Sequence, residues 1–304
     1  HQLRALSGDG YRLKRLKRSG VRLVSEPDRL FPERILRGLE TNQIGKKLYA
    51  FQTIGSTNDR ALFMGERGEE NGTVWVTEGQ THGRGRQGRS WMGTEGKGLA
   101  FSVIFRFSLS AQEASGFTLA AAVAVALTLE ESKVRPRIKW PNDVYLGGRK
   151  ICGVLTETRG GRESVHFTVV GIGVNLNQAP GDFSNDLKSR ATSYYRHTGR
   201  KLDRVVFFQR LLFHLEKMEG WIRKKQFPRI LSQWRRRSLL NHRQVRVVTG
   251  DRTFYGQAVG VDESGALLVR NDFGLIEKVL AGEVELLRLS NRKRPRERAG
   301  TEKR

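Results

Sequence analysis

Residues 83–91 read GRGRQGRSW, with three arginines and three glycines interleaved ahead of a tryptophan. Glycine at that density weakens a helix, and the stretch offers a strand little apolar surface to bury. It therefore reads as a loop between strands, flanked by TVWVT at 73–77 and LAFSVIFRF at 99–107. Glycine lets a backbone approach a ligand and turn its N–H groups inward. Arginine presents a planar fork that fits carboxylate or phosphate oxygens. Together they make an anion cradle. The plain alternative is a surface loop with incidental charge. A Walker phosphate loop is excluded, because no GxxxxGK[ST] occurs. Nucleic-acid-binding glycine–arginine segments run long and repetitive, whereas this one is brief.

The chain around the loop suits two or three domains, with 304 residues that include 15 Phe and 5 Trp. The longest apolar run, Phe117 to Leu129, is 13 residues, short of the roughly 20 that span a bilayer. No signal-peptide pattern opens the chain. The single cysteine, Cys152, excludes a disulfide framework and a multi-cysteine zinc site and suits the cytoplasm. Of the net charge of +24, +6 lies in residues 1–22 and +5 in 291–304, which leaves +13 for the middle. The middle still favours anionic partners.

Hydrophobic spacing predicts a helix over Pro27–Glu40 and a strand over Leu48–Phe51. Ser56 offers an N-cap for a helix to about Glu66. The Ala-rich stretch from Ala111 to Ser132 is apolar nearly all round and predicts a buried helix. Strands follow at Arg137–Trp140, Lys150–Glu157 and Val165–Asn175, then helices at Asp203–Lys225 and Pro228–Ser238. After Asn241, short strands between Gly/Asp turns indicate a small all-β unit. The first 22 residues read as a hairpin around Gly-Asp-Gly, or as a short basic helix ending at Gly20.

Three further motifs carry possible chemistry. IKWPNDV, 138–144, sets a lysine at a stiff Trp-Pro turn, from which an ammonium reaches a reacting phosphate or carboxylate. TIGSTNDRAL, 53–62, offers Ser56, Thr57 and Asn58 at a helix start, together with free backbone N–H groups. VVGIGVNLN, 169–177, places glycines in a strand, where another backbone or a ligand approaches closely. Each has a bland reading as well: a structural turn, an ordinary N-cap, a packed strand.

In this order, TIGSTN, TEGQTHGRGRQGRSW, KWPNDV with KICGVLTE, and GIGVNLN resemble the biotin–protein ligases. GDRTFYGQAVGVDESGALLVR resembles that family's small terminal barrel. The resemblance spans about residues 27–290. It implies an α+β fold: a mixed β-sheet catalytic domain with packed helices, similar to class II aminoacyl-tRNA synthetases, and a small C-terminal β-barrel domain. The corresponding divisions are a basic N-terminal segment, 1–26, a catalytic domain, 27–240, the barrel, 241–290, and a disordered basic tail, 291–304.

Enzymes of this family form biotinyl-5′-AMP from biotin and ATP, then pass biotin to a lysine of a biotin carboxyl carrier protein domain. The resemblance implies that Ser56, Thr57, Asn58 and Gln80 line the biotin pocket. Arg84, Gly85 and Arg86 would hold biotin and the acyl-adenylate, Arg89 would face the ATP phosphates, and Trp91 would close over the ligand. Lys139 would contact the biotin carboxylate and the attacked phosphate, acting with Arg86 as catalytic. Asn142 and Asn175 would lie on the nucleotide side, Asn175 near Mg2+ carried by the phosphates. Gly171 and Gly173 would let their strand pass close to the ligand, and Cys152 would be core. His82 and Gln87 depart from the common pattern, Gln87 standing where an arginine is frequent. A homodimer is left open as a partner, and some members of the family carry an N-terminal winged helix–turn–helix. ALSGDGYRL resembles the wing, but no complete three-helix unit fits, which argues against DNA binding. Rival readings are a lipoate or octanoate ligase or transferase, and a nucleic-acid-binding regulator.

Overall fold

The computed structural model describes residues 3, 7–8, 10–16, 20–91, 93–106, 111–160 and 165–287. The expected tail at 291–304 lies outside these residues. The chain forms two compact units, one of His1–Leu239 with Val261–Gly265, the other of Leu240–Gly260 with Ala266–Arg304.

The first unit begins with an antiparallel hairpin of β1 (Arg12–Leu16) and β2 (Gly20–Ser25). The basic-helix reading of this segment is therefore corrected, and so is the hairpin around Gly-Asp-Gly: both strands follow that motif, and residues 17–19 connect them. Gly10, just ahead of β1, has the positive φ, +92°, that favours glycine. The helix expected over Pro27–Glu40 is only α1 (Pro32–Arg37). Residues before Pro32 are drawn into other bonds. Leu30 N donates to Glu78 Oε1 at 2.7 Å, and Asp28 Oδ1 accepts from Arg204 Nε at 3.0 Å. Arg204 is fully buried and also pairs with Glu78 Oε2 at 2.7 Å, as a buried guanidinium requires.

A seven-stranded mixed sheet follows. Its strands are β3 (Leu48–Ile54), β4 (Val74–Gln80), β5 (Gly98–Phe105), β6 (Arg137–Lys139), β7 (Asp143–Leu146), β8 (Arg149–Gly160) and β9 (Val165–Asn175). The order is β3-β4-β5-β9-β8-β7-β6. Only β3 and β4 run parallel, because α2 (Thr57–Gly65) crosses between them. Ser56 caps α2 by accepting from Asp59 N.

Side chains alternate along β9 and so divide it into two faces. Phe167 and Val169 pack with Ala61 and Leu62 of α2 and with Trp75 and Ile104. On that same face, further along, come Gly171, Gly173 and Asn175. Val170, Ile172 and Val174 turn to the other face, which α3 (Ala111–Glu131) covers. Alanines 120, 121, 122, 124 and 126 are all buried there, and their small side chains allow helix and sheet to pack closely. Beyond the short α4 (Tyr194–Thr198), α5 (Arg204–Arg223) and α6 (Phe227–Arg237) pack against α3. Asp203 caps α5 by accepting from Val205 N and Val206 N. No described helix is long and apolar enough to cross a membrane.

The second unit is a five-stranded sheet of order β13-β12-β11-β10-β14. Its strands are β10 (Gln244–Thr249), β11 (Arg252–Val261), β12 (Leu267–Arg270), β13 (Ile276–Val279) and β14 (Glu283–Leu286). Val245, Val247, Ala258, Leu267 and Val269 form its interior.

Candidate active site

The site is built where β9 gives up side chains. A Cβ on Gly171 would lie 2.0 Å from Asn58 Oδ1, and one on Gly173 would lie 2.1 Å from the Trp91 indole. These two glycines admit, in turn, the N-terminal turn of α2 and the end of the glycine–arginine loop. Gly153, paired with Gly173 across β8 and β9, extends the same floor beneath Trp91, where a Cβ would sit 3.1 Å from the ring.

Around Asn58 the polar groups are closely matched. Thr57 N and Thr57 Oγ1 both donate to Gln80 Oε1, at 2.8 and 3.1 Å. Ser102 Oγ donates to Asn58 Oδ1 at 2.6 Å and lies 2.8 Å from Thr57 Oγ1. Asn58 Nδ2 donates to Glu157 Oε2 at 2.8 Å. Ser56, Thr57 and Asn58 are buried. Desolvated polar groups held in register like this make a pre-organised polar cluster.

The loop itself is pinned by its backbone. Trp91 N donates to Gly83 O at 2.8 Å and Gly85 N to Arg89 O at 2.6 Å. A 3₁₀ turn spans Arg86–Gly88, with Gln87 at φ 55°. Arg84 Nη2 donates to both oxygens of Glu157, at 3.1 and 2.9 Å, and lies 2.5 Å from Asp59 Oδ1. Arg86 Nη1 donates to Asn142 Oδ1 at 3.3 Å, and Asn142 Nδ2 donates to Val154 O at 2.7 Å. Arg89 is exposed.

Lys139 ends β6, with its Nζ 5.8 Å from the centre of the Tyr145 ring. Burial, with Asp143 adding to it, pushes the Tyr145 hydroxyl up to about 12. The adjoining Trp140 is buried and its Nε1 donates to Gly265 O at 3.0 Å, which fixes the corner carrying the lysine. Lys150 Nζ pairs with Asp143 Oδ1 at 2.6 Å and sits 5.7 Å from the Trp91 ring centre.

The sequence motifs thus converge from three sides. Thr57, Asn58 and Gln80 form one network with Ser102, which reaches Arg84 through Glu157, whereas Ser56 serves as the cap of α2. Arg86 and Asn142 meet directly. Trp91 lies on Gly173. Asn175 is set further along the same strand, with its amide engaged: Nδ2 donates to Thr192 O at 3.1 Å and Oδ1 accepts from Gln178 Nε2 at 3.2 Å. Cys152 is fully buried, and burial pushes its thiol up, with Lys150 opposing and Asp143 adding. Such a thiol is inert as a nucleophile. Among the described residues, no group of three or more His, Cys, Asp or Glu is placed to hold a metal ion.

Five residues outside the expected set belong to this constellation: Asp59, Ser102, Asp143, Lys150 and Glu157. Asp59, Asp143, Lys150 and Glu157 stand inside the recognised motifs, in STNDR, PNDV, KICG and VLTE. Their carboxylates and ammonium were the available signal, since charged groups at motif positions need partners. Ser102 lies in an ordinary strand sequence and carried no such signal.

Comparison with known proteins follows the same lines. Residues 50–175 match the biotin/lipoate A/B protein ligase family, and residues 243–287 match the biotin protein ligase C-terminal domain. The chain is 36% identical over 282 residues to the bifunctional ligase/repressor BirA of Bacillus subtilis, covering 92% of this chain and 86% of that protein. It is 33% identical over 278 residues to a biotin–[acetyl-CoA-carboxylase] ligase of Mycobacterium tuberculosis, covering 87% of this chain and all of that protein. The structure of an Aquifex aeolicus biotin protein ligase in complex with biotin and ATP superposes with a TM-score of 0.68 at 31% identity, covering 80% of this chain and 99% of that one.

Proposed function

The chain belongs to the biotin protein ligase family, and on that premise we propose that it joins biotin to a lysine of a carboxylase's biotin carboxyl carrier domain at the expense of ATP. The biotin carboxylate attacks the α-phosphorus of ATP, forming biotinyl-5′-AMP and releasing pyrophosphate. The carrier lysine, as a neutral amine, then attacks the acyl carbon, forming an amide and releasing AMP.

The observation that carries this reading is the Arg86–Asn142 contact at 3.3 Å. It brings the glycine–arginine loop onto the turn that presents Lys139, although 56 residues separate the two. A carboxylate and a polyphosphate repel by several kcal/mol in a water-poor site, by Coulomb estimate about 4 kcal/mol at 4 Å with an effective dielectric of 20. Lys139 and Arg86 offset that repulsion and stabilise charge on the phosphoryl oxygens in the transition state. Arg89 serves the phosphates. The network of Thr57, Asn58, Gln80 and Ser102 holds the polar end of biotin, while Trp91 over Gly173 covers the acyl-adenylate and excludes water from the mixed anhydride. Mg2+ would arrive with the nucleotide and keep most of its ligands from phosphate and water. Bound there, it would help to neutralise the phosphates. Asn175, its amide engaged, supports the strand end beside them.

The reading is tested by ATP–pyrophosphate exchange run with biotin and with lipoate. Exchange that depends on biotin alone is the expected result, and exchange with lipoate alone would replace biotin as the substrate. A direct acyl transferase is disfavoured by the buried, high-pKa Cys152.

A second reading attaches to the N-terminal hairpin. Lys14 and Arg22 lie directly opposite one another in the register, a like-charge pair that costs stability and that a nucleic-acid backbone would relieve. Binding of duplex DNA that weakens steeply with salt would support it; unchanged affinity in Lys14→Ala/Arg22→Ala would dismiss it.

A further inference from the structure

We propose that Glu157 is a positioning residue whose single carboxylate latches the glycine–arginine loop through Arg84 and orients Asn58 in the biotin pocket, so that Arg84 holds the loop rather than the reacting phosphate. This rests on the ligase reading and gives a role to Glu157, to which the motif containing it assigned none.

The geometry is specific. Glu157 Oε2 accepts from Asn58 Nδ2 at 2.8 Å and from Arg84 Nη2 at 2.9 Å. One oxygen therefore serves both the pocket and the loop. Asn58 is 4% exposed, and its Oδ1 is already committed to Ser102. Its orientation is thus fixed at both ends, with Gly171 leaving the room. The Arg84 guanidinium also meets Asp59 Oδ1 at 2.5 Å. Two carboxylates surround one guanidinium, so this corner carries a net negative charge. An arriving phosphate is repelled there, and the attraction falls to Arg86, Arg89 and Lys139 instead.

The Arg84 side chain is 41% exposed and that of Glu157 only 20%. An ion pair so partly exposed is weak by itself. Its effect comes from the sharing, because a loop that lets go also frees the carboxylate that orders Asn58. Coupling of this kind is reciprocal: filling the pocket must favour the latched loop to the same degree that latching favours the filled pocket.

The test uses the full chain and biotin-dependent ATP–pyrophosphate exchange. Glu157→Gln keeps a carbonyl oxygen for Asn58 but removes the charge from Arg84. The expected result is a biotin KM raised about tenfold in Glu157→Gln and in Arg84→Ala, with the ATP KM changed less than about threefold. The double variant should be no worse than either single one, and Arg84→Lys should recover most of the loss. Without ligand, trypsin should cut the loop of Glu157→Gln and of Asp59→Asn faster than wild type, Glu157→Gln the more. A lower ATP KM in Glu157→Gln would mean that freed Arg84 seeks phosphate, and would overturn the proposal. So would a raised ATP KM with unchanged biotin KM in Arg84→Ala, additive effects in the double variant, or unchanged loop cleavage. If wild type shows no biotin-dependent exchange, the ligase reading fails, while the cleavage comparison still decides the latch.

Discussion

Gly173→Ala isolates the closing of the site from the stability of the fold. The added methyl would lie 2.1 Å from the Trp91 indole. An indole is rigid, so the whole ring must retreat about 1.4 Å to reach the ~3.5 Å separation at which carbon atoms attract. A radial gap of about 1 Å forfeits a quarter to a half of each contact's attraction. The Lys150 ammonium, 5.7 Å from the ring centre, loses a cation–π contact of roughly 0.5–1 kcal/mol. Together these cost the latched loop about 1–2 kcal/mol, which corresponds to a 5- to 30-fold weaker hold on the ligand. Trp91 is only half-buried and lies outside the core, so folding should be spared. Exchange kinetics should therefore show biotin KM raised about 5- to 30-fold, while Tm stays within about 2 °C of wild type. A wild-type KM would show that Trp91 does not cover the bound ligand, and a Tm lower by more than about 5 °C would show that it is core.

Gly171→Ala should behave in the opposite way. Its Cβ meets the buried Asn58 Oδ1 at 2.0 Å, and losing the Ser102 and Glu157 bonds costs about 2–4 kcal/mol, so Tm should drop by roughly 5–12 °C in a melting scan. Cys152→Ser should keep wild-type kcat in the exchange assay and lose about 1–3 kcal/mol of stability in a denaturant titration, because a hydroxyl enters an apolar site; abolished activity would restore the acyl-transferase reading. Glu131 is held down at about 2 by Arg210 and then His214, against the opposing effect of burial. Its folded-state value lies below the unfolded one, so its contribution is present above about pH 4.5 and fades as pH falls toward 2. The Tm difference between wild type and Glu131→Gln should be largest at neutral pH and should close near pH 2; a gap that persists at that pH would dismiss the pairing.

Much of the fold could be read from local chemistry. The Ala-rich helix lies over Ala111–Glu131 because its composition tolerates burial on every side. Ser56 caps α2, and Asp203 caps α5, as their side chains allow. The failure at Pro27–Glu40 has a distant cause. Apolar spacing favours a helix there, but buried Arg204, 176 residues away, takes Asp28 and draws the preceding chain into an extended path. An uncompensated buried guanidinium costs more than a turn of helix gains. No local window contains that comparison.

The same distinction governs the site. Glycines and arginines announce a cradle because their chemistry is carried within nine residues, and the Lys139 corner does so within five. How the charges pair is a matter of register, fixed where Glu157 stands opposite Val169 on the face that α2 covers. Arg84 and Glu157 are 73 residues apart, and nothing in either motif states that they meet. A charge count over the sequence therefore credits the loop with three cations for an incoming polyphosphate. The folded chain spends one of them, Arg84, on two carboxylates of its own, and this costs the phosphate little if a closed loop matters more to the adenylate than a third positive charge does. Faster loop cleavage in Glu157→Gln beside an ATP KM that does not fall is the outcome that assigns Arg84 to the loop.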